Sequence, residues 1–449
     1  MVHLRYVMKT PFFRWFCAIG WASTLASSAY GQSAPLTLTL KDALARAQMN
    51  APQFLSALND ANIAHENILQ ARAAQRPSVS FTSEYLGTQG NGVLPTGRFV
   101  TNNGVHVYRE WGVVHQDFTA AITRTGPRRA AAAETLALAR AEIARRGLAV
   151  TVTRAYYALL TGQRKYATAQ DALDQAKRYL DITQSLERGG EVPHSDVVRA
   201  DFQYSQQEQA FEEARLAMDN ARLDLAVLLF RDFDQNFTVV DDLTLAPALP
   251  MFNEVQTMAE RQNPDLRAAN AALRVAQLDT TIARQAFLPS LTADAVYGIE
   301  ANAFALHSTV AGSPDAGPLP NLGYFATISL NIPVWDWGIR SSKVRQAQLK
   351  RDQANVELNA AQRTLIRNLQ GYYQEALTAR NQVDRLRHSM DQAAENLRLN
   401  GLRYQAGEAT ILELVDAQTL LTGARNAYDD GLVRYRLALA NLETITGTF

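Results

Sequence analysis

The residues of this 449-residue chain that could do chemistry are few and poorly placed for catalysis. Its seven histidines, at positions 3, 65, 106, 115, 194, 307 and 388, show no spacing that would hold a metal ion. The acid pairs Asp241-Asp242 and Asp429-Asp430 read as solvated surface. No phosphate-cradling glycine loop, dinucleotide fingerprint or nucleophile motif occurs. No enzyme is therefore expected, and no cofactor or metal. The acids that stand out follow glycine turns. Glu413 and Asp416 come just after Gly407-Glu408-Ala409-Thr410, and Asp196 just after Gly189-Gly190-Glu191-Val192-Pro193. Acids are favoured at helix N-termini by the backbone dipole whatever their role, so position alone leaves them as solvated caps.

The elements that carry these residues begin with an export signal. Arg5, Lys9 and Arg14 precede a mostly apolar stretch from Trp15 to Ala26, too short to span a bilayer. Small residues follow, and Ala29-Tyr30-Gly31 fits a cleavage site that makes 1–31 the signal and Gln32 the first mature residue. The single cysteine, Cys17, lies inside that segment, so the mature chain has no disulfide. Removing three cations and no acid leaves 41 basic against 44 acidic residues, which speaks against a nucleic-acid binder. After residue 31 no run of 18 apolar residues occurs, which leaves a periplasmic, secreted or β-barrel protein.

The chain is written twice. Pro52, Ala71, Arg72, Pro77 and Tyr85 recur at one offset as Pro264, Ala283, Arg284, Pro289 and Tyr297. Gly126 maps to Gly338, Tyr156-Tyr157 to Tyr372-Tyr373, and Gly190-Glu191 to Gly407-Glu408. The mature chain, 32–449, thus holds repeat one (about 36–230), a linker (231–250) and repeat two (about 251–449).

Each repeat has the same order. A helix ends at Pro52 in the first copy, and an amphipathic stretch runs on to Pro77. Alternating residues then predict strands: Val79, Phe81, Ser83 and Tyr85, and Leu291, Ala293, Ala295, Tyr297 and Ile299. Loops are expected over Gly87–Gly112 and Ala301–Gly323. Returning strands are expected through Val114, Phe118, Ala120 and Ile122, and through Tyr324, Ala326, Ile328, Leu330 and Ile332. A very long helix follows in each copy. Apolar and small residues step by 3 and 4 from Leu148 to Leu180 and from Leu365 to Leu397, the 3.5-residue period of coiled-coil packing. Each long helix ends at a glycine turn, and a second helix returns. The predicted fold is mainly α with a small β part. Four strands cannot close a barrel, and an open sheet in lipid leaves backbone groups unpaired. Several copies must then share one barrel, and cyclic symmetry closes it.

Pro333-Val334-Trp335-Asp336-Trp337-Gly338-Ile339-Arg340 resembles the strand-to-helix signature of the TolC-type outer-membrane efflux family. The run Arg403-Tyr404-Gln405-Ala406-Gly407 through Gln418 is similar to that family's periplasmic tip, and Leu38-Thr39-Leu40-Lys41-Asp42-Ala43 fits its opening. The first-copy counterpart, Thr123-Arg124-Thr125-Gly126-Pro127-Arg128, keeps the glycine and a basic residue but loses the aromatic–Asp part. The resemblance implies a homotrimer. Its twelve-stranded β-barrel would sit in outer-membrane lipid, with an α-barrel in the periplasm. It also implies the exit duct of a tripartite efflux pump or type I secretion system, joined to an inner-membrane pump through a periplasmic adaptor. It implies pore or gate roles for Asp196, Glu413, Asp416 and Tyr404, and adaptor contact at Gly190, Glu191, Gly407 and Glu408. The family's basic gate partner falls on Ala409, with Arg403 or Arg199 as substitutes. Many members carry a lipidated N-terminal cysteine. Cys17 follows Trp15 and Phe16, a poor context, so no lipid anchor is expected. The alternative is a periplasmic coiled-coil scaffold or adaptor without a pore.

Overall fold

The computed structural model describes residues 36–87, 106–231, 236–245, 247–301, 304–311 and 318–447. The predicted signal with its cysteine and most of the first predicted loop lie outside the described residues.

Strand β1 (Leu36–Leu38) leads into α1 (Leu40–Asn50), opened by a capping box between Thr39 and Asp42. Pro52 starts α2 (Pro52–Ala73), because proline suits a first helical turn but not an interior. Two strands follow, β2 (Ser78–Gly87) and β3 (His106–Asp117). Here the chain departs from expectation. Residues 106–112, predicted as loop, are strand, and Phe118, Ala120 and Ile122, predicted as strand, lie in a short helix α3 (Phe118–Thr123). The cause is Asp117, whose carboxylate accepts the backbone N–H groups of Thr119 (2.8 Å) and Ala120 (3.1 Å) and starts the helix. Then come α4 (Thr125–Arg188), α5 (His194–Leu229), a short strand β4 (Phe237–Val239) and a 3₁₀ turn (Leu243–Leu245).

The second copy repeats this with α6 (Phe252–Gln262), α7 (Pro264–Gln285) and β5 (Ser290–Ala301). Its predicted loop holds a small hairpin, β6 (His307–Ala311) with β7 (Pro318–Pro320). The returning strand is β8 (Leu322–Asn331), followed by α8 (Ile339–Gln405) and α9 (Ile411–Thr446).

Helix α8 spans about 100 Å at ~1.5 Å per residue. Its returning partner α9 is about half as long, and the same holds for α4 and α5. The remaining length of the long helices is covered by α2 and α7, which pack on α4 and, for α7, on α8. The predicted seam is inside: Val152, Leu159, Ala169 and Ala176 of α4, and Leu365, Leu369, Ala376, Ala379, Ala393 and Leu397 of α8, are buried. Small residues let the helices approach closely. A Cβ added to Gly162 would stand 3.3 Å from the backbone of Met218 on α5.

Midway along α4 the largest core gathers Tyr156, Tyr157, Leu159, Leu225, Leu229 and Leu243. The N-terminal strand is stitched to the linker here: β1 pairs in parallel with β4. Tyr156 holds that pair by donating its hydroxyl to the carbonyls of Val240 (2.7 Å) and Leu38 (3.2 Å).

The four long strands form one antiparallel sheet in the order β2-β3-β5-β8, which joins the two copies through β3 and β5. Gly298 makes that seam possible, since a Cβ there would strike the Glu110 carbonyl oxygen at 1.9 Å. The register sorts the side chains by face. One face carries Val79, Phe81 and Tyr85, then Tyr108 and Val114, then Ala295, Tyr297 and Ile299, then Tyr324, Ala326 and Ile328. Much of it is bare: Val79 is 77% exposed, Phe81 71%, Tyr324 86% and Ile328 76%. The other face is crossed by Glu84–Arg109–Glu300 (3.3 and 3.1 Å) and His115–Asp294 (2.7 Å). Strands β2 and β8 are exposed along their whole length, and each has only one partner among the described residues.

Candidate functional site

Both glycine turns have one geometry. Gly190 (φ 76°) and Gly407 (φ 75°) occupy the left-handed region that a side chain disfavours. Glu191 N–H donates to Leu186 O (2.9 Å) and Gly190 N–H to Glu187 O (2.8 Å). Glu408 and Gly407 repeat this onto Arg403 (2.8 Å) and Tyr404 (3.1 Å). These are Schellman closures, which satisfy the last carbonyls of each long helix. They leave Gly190, Glu191, Gly407 and Glu408 exposed at the ends of the hairpins.

Beyond the turns the two tips differ. In the second, Thr410 and Glu413 form a capping box that starts α9. Glu413 also pairs with Arg403 at 3.3 Å, and Arg403 donates to the Glu408 carbonyl (3.2 Å). Arg403 thus supplies a cation beside the position of Ala409, and Arg199 forms no ion pair among the described residues. In the first tip Pro193 precedes α5 without a side-chain cap, and His194 meets Glu187 at 2.7 Å. Asp196 is half-buried in the first turn of α5, while Asp416 is exposed one turn beyond Glu413. No hydrogen bond or ion pair among the described residues joins Asp196 to Glu413 or Asp416.

Tyr404 is placed differently from the acids. It is buried, and its hydroxyl meets Thr183 Oγ1 at 2.7 Å, which bolts the end of α8 to the end of α4. Around this bond pack Leu397, Ile411, Leu414 and Leu421 of repeat two, with Tyr179, Ile182 and Leu186 of repeat one. The two hairpins are therefore locked together by a small core near their tips.

A second set of contacts between the copies was not predicted. Arg164 of α4 binds Asp241 of the linker (2.6 Å) and Asp429 of α9 (2.7 Å), and Lys165 binds Asp430 (2.8 Å). Arg436 pairs with Asp242 (3.7 Å) and lies over the Tyr157 ring at 5.5 Å. The reading of these aspartates as solvated surface is overturned for Asp429, which is only 7% exposed; Asp241 and Asp430 are exposed as expected, but all four are ion-paired. The missed signal is that Arg164-Lys165 and Asp429-Asp430 are paired doublets of opposite charge. Nearer the sheet, buried Arg146 donates to the carbonyls of Thr444 (2.7 Å) and Gln262 (3.3 Å) and to Glu142 (2.6 Å). The guanidinium of Arg145, then that of Arg146, hold the Glu142 carboxyl down at about 2. Burial pushes the Tyr156 hydroxyl up to about 12, so it stays a donor at any physiological pH.

No group of three or more His, Cys, Asp or Glu able to hold a metal occurs among the described residues. What the molecule presents is a two-faced sheet and two long bolted hairpins.

The sequence model of the outer membrane efflux protein family matches residues 256–448. Outer membrane protein TolC of Escherichia coli (strain K12) is 21% identical over 405 residues, which cover 90% of this chain and 81% of that protein. This chain matches that family over its second copy and is similar to TolC over most of its length, which supports a TolC-type outer membrane factor. Two solved structures agree on the fold of this efflux protein. The Campylobacter jejuni CmeC outer membrane channel superposes with a TM-score of 0.76 at 17% identity, covering 91% of this chain and 85% of that one. The Vibrio cholerae outer membrane protein VceC gives 0.75 at 17%, covering 91% and 96%. Like these relatives, this protein is an outer-membrane protein.

Proposed function

We propose that three copies of this chain form an outer-membrane exit duct serving a tripartite efflux pump or a type I secretion system. Three four-stranded sheets close into a twelve-stranded barrel, and three pairs of hairpins make the periplasmic tunnel. One observation carries this reading: a sheet with a largely apolar, bare face, on which Glu110 is hydrogen-bonded to Ser83, a charged opposite face and two open edges, running straight into the long helices. In lipid the bare face is stable and open edges are not, so neighbours must pair β2 with β8. Trp335 and Trp337, exposed where β8 leads into α8, suit the membrane–water boundary.

The duct is passive and narrows at its periplasmic tips. Around a threefold axis Glu413, Asp416 and Asp196 form acidic rings that draw in cations. Tyr404 and Thr183 hold the closed arrangement, with Arg403 restraining Glu413. The exposed Gly190-Glu191 and Gly407-Glu408 turns meet the hairpin of a periplasmic adaptor, which links the duct to an inner-membrane pump. Planar-bilayer recording of the detergent-extracted protein tests this. A heat-modifiable trimer with single-channel current is expected, and Glu413→Ala with Asp416→Ala raises conductance or weakens block by divalent cations. A detergent-independent monomer without current leaves the pore-free scaffold. Unchanged conductance and block in the double variant remove these acids from the gate.

A further inference from the structure

The degenerate first-copy junction has a content of its own. Arg72 and Arg76 at the end of α2, with Arg124 and Arg128 at the start of α4, line one open hollow of about 700 Å³ together with Gln75, Pro127 and Ala131. No acid lines it. None of the four guanidinium groups makes an ion pair or side-chain hydrogen bond among the described residues, although nearby Arg129 is paired with Asp279. Four unpaired like charges around one hollow repel each other and are destabilising unless an anion joins them.

The second copy shows that this is no requirement of the fold. By the repeat offset Arg72 corresponds to Arg284, Arg76 to Leu288, Arg124 to Asp336 and Arg128 to Arg340. There Asp336 accepts the backbone N–H groups of Gly338 (3.1 Å) and Arg340 (2.9 Å) and pairs with the Arg340 guanidinium at 3.5 Å. That junction caps its helix and neutralises its cation internally. In the first copy the capping acid is replaced by Arg124, held at φ 50° with no side-chain cap. Four positive charges therefore stand where the other repeat carries a net of one, and the nearby N-terminus of α4 adds its dipole.

We infer that this hollow binds a phosphate-bearing anion. Guanidinium groups match phosphate oxygens in planar, two-pronged hydrogen bonds, and several can share one group. The hollow lies where the strands give way to helices. Resting on the duct reading, that is the level of the inner-leaflet headgroups, so an anionic phospholipid is the source at hand; a free phosphate offers the same chemistry.

The test uses the full-length trimer purified in detergent. Native mass spectrometry counts bound phosphatidylglycerol against phosphatidylcholine, and thermal melting is followed with inorganic phosphate alone. Two variants are compared: Arg124→Asp, which imitates the second copy, and Arg72→Gln with Arg76→Gln. Retained phosphatidylglycerol that falls about tenfold or more in both variants supports a lipid site, since each variant removes charge-assisted contacts. Stabilisation by inorganic phosphate, lost in the variants, with no preference between the lipids supports a free-anion site. A wild-type trimer that holds neither probe overturns the inference whether or not the variants fold, as does binding unchanged by both. Current recorded on the same preparation separates the two ideas: a conducting trimer without anion sinks only the pocket, and a chain that forms no trimer sinks the duct.

Discussion

The two repeats share a backbone plan and differ in how each ends its helices. At the sheet junction repeat two closes on itself through Asp336, whereas repeat one leaves four arginines open. At the tip repeat two is capped and paired through Thr410, Glu413 and Arg403, whereas repeat one starts α5 on an uncapped proline. Midway, Tyr156 and Tyr157 are wholly buried against the linker, while Tyr372 and Tyr373 are only half-buried and Tyr373 reaches a single linker carbonyl, that of Pro250 (3.2 Å). Duplication supplied two similar frames, and the β1–β4 pair docks on only one of them. The tyrosine pair that received it became core, and its twin stayed at the margin.

The largest expected effect breaks that inequality directly. Tyr156→Ala opens a cavity and takes the hydroxyl donor from the Val240 carbonyl, while the Leu38 carbonyl keeps the Val240 N–H, and about 3–5 kcal/mol is lost. Tyr372→Ala at the equivalent site costs less than half as much; equal losses in denaturant melts of the purified protein would show that the β1–β4 pair does not distinguish the repeats. Next is Arg146, which ties repeat one to the end of repeat two. Arg146→Met strands the carbonyls of Thr444 and Gln262 and lowers stability by about 2–3 kcal/mol.

The same clamp gives a pH dependence. Glu142 sits below its ordinary 4.5, at about 2, so it binds protons more readily unfolded than folded. Its stabilisation is complete above about pH 4.5 and is lost as pH falls through about 2. Glu142→Gln flattens that part of the stability–pH profile, and an unaltered profile would place the titration elsewhere. A smaller effect is expected at the bolt between tips. Thr183→Val and Tyr404→Phe each cost about 1 kcal/mol, and their double-mutant cycle closes with a coupling of similar size. The smallest is Arg403→Ala. Its pair with Glu413 is half exposed, so stability changes by less than about 1 kcal/mol, and the readout is a shift in channel block by cations.

Much of the architecture was legible before any coordinates. Proline positions marked helix breaks at 52 and 264, where the structure starts new helices, and the 3.5-residue stride gave the buried seams of α4 and α8. Gly190 and Gly407 marked turns that need a positive φ. The strand boundary at Asp117 was not legible, because an alternation of Phe118, Ala120 and Ile122 looks the same whether or not a preceding carboxylate diverts the chain into a helix. Tyr404 was found through likeness to a family, and its partner Thr183, 221 residues away, was not found at all.

The sequence by itself determined the duplication, the rods, the turns and the two strands of each copy, since periodicity and backbone restriction act over a few neighbouring residues. Tertiary structure alone decided that β1 would pair with β4, that Arg164 would reach Asp241 and Asp429, and that Arg72, Arg76, Arg124 and Arg128 would converge. Such meetings join residues tens to hundreds of positions apart. Their partners are set by how long helices lie against one another, and no spacing along the chain records that.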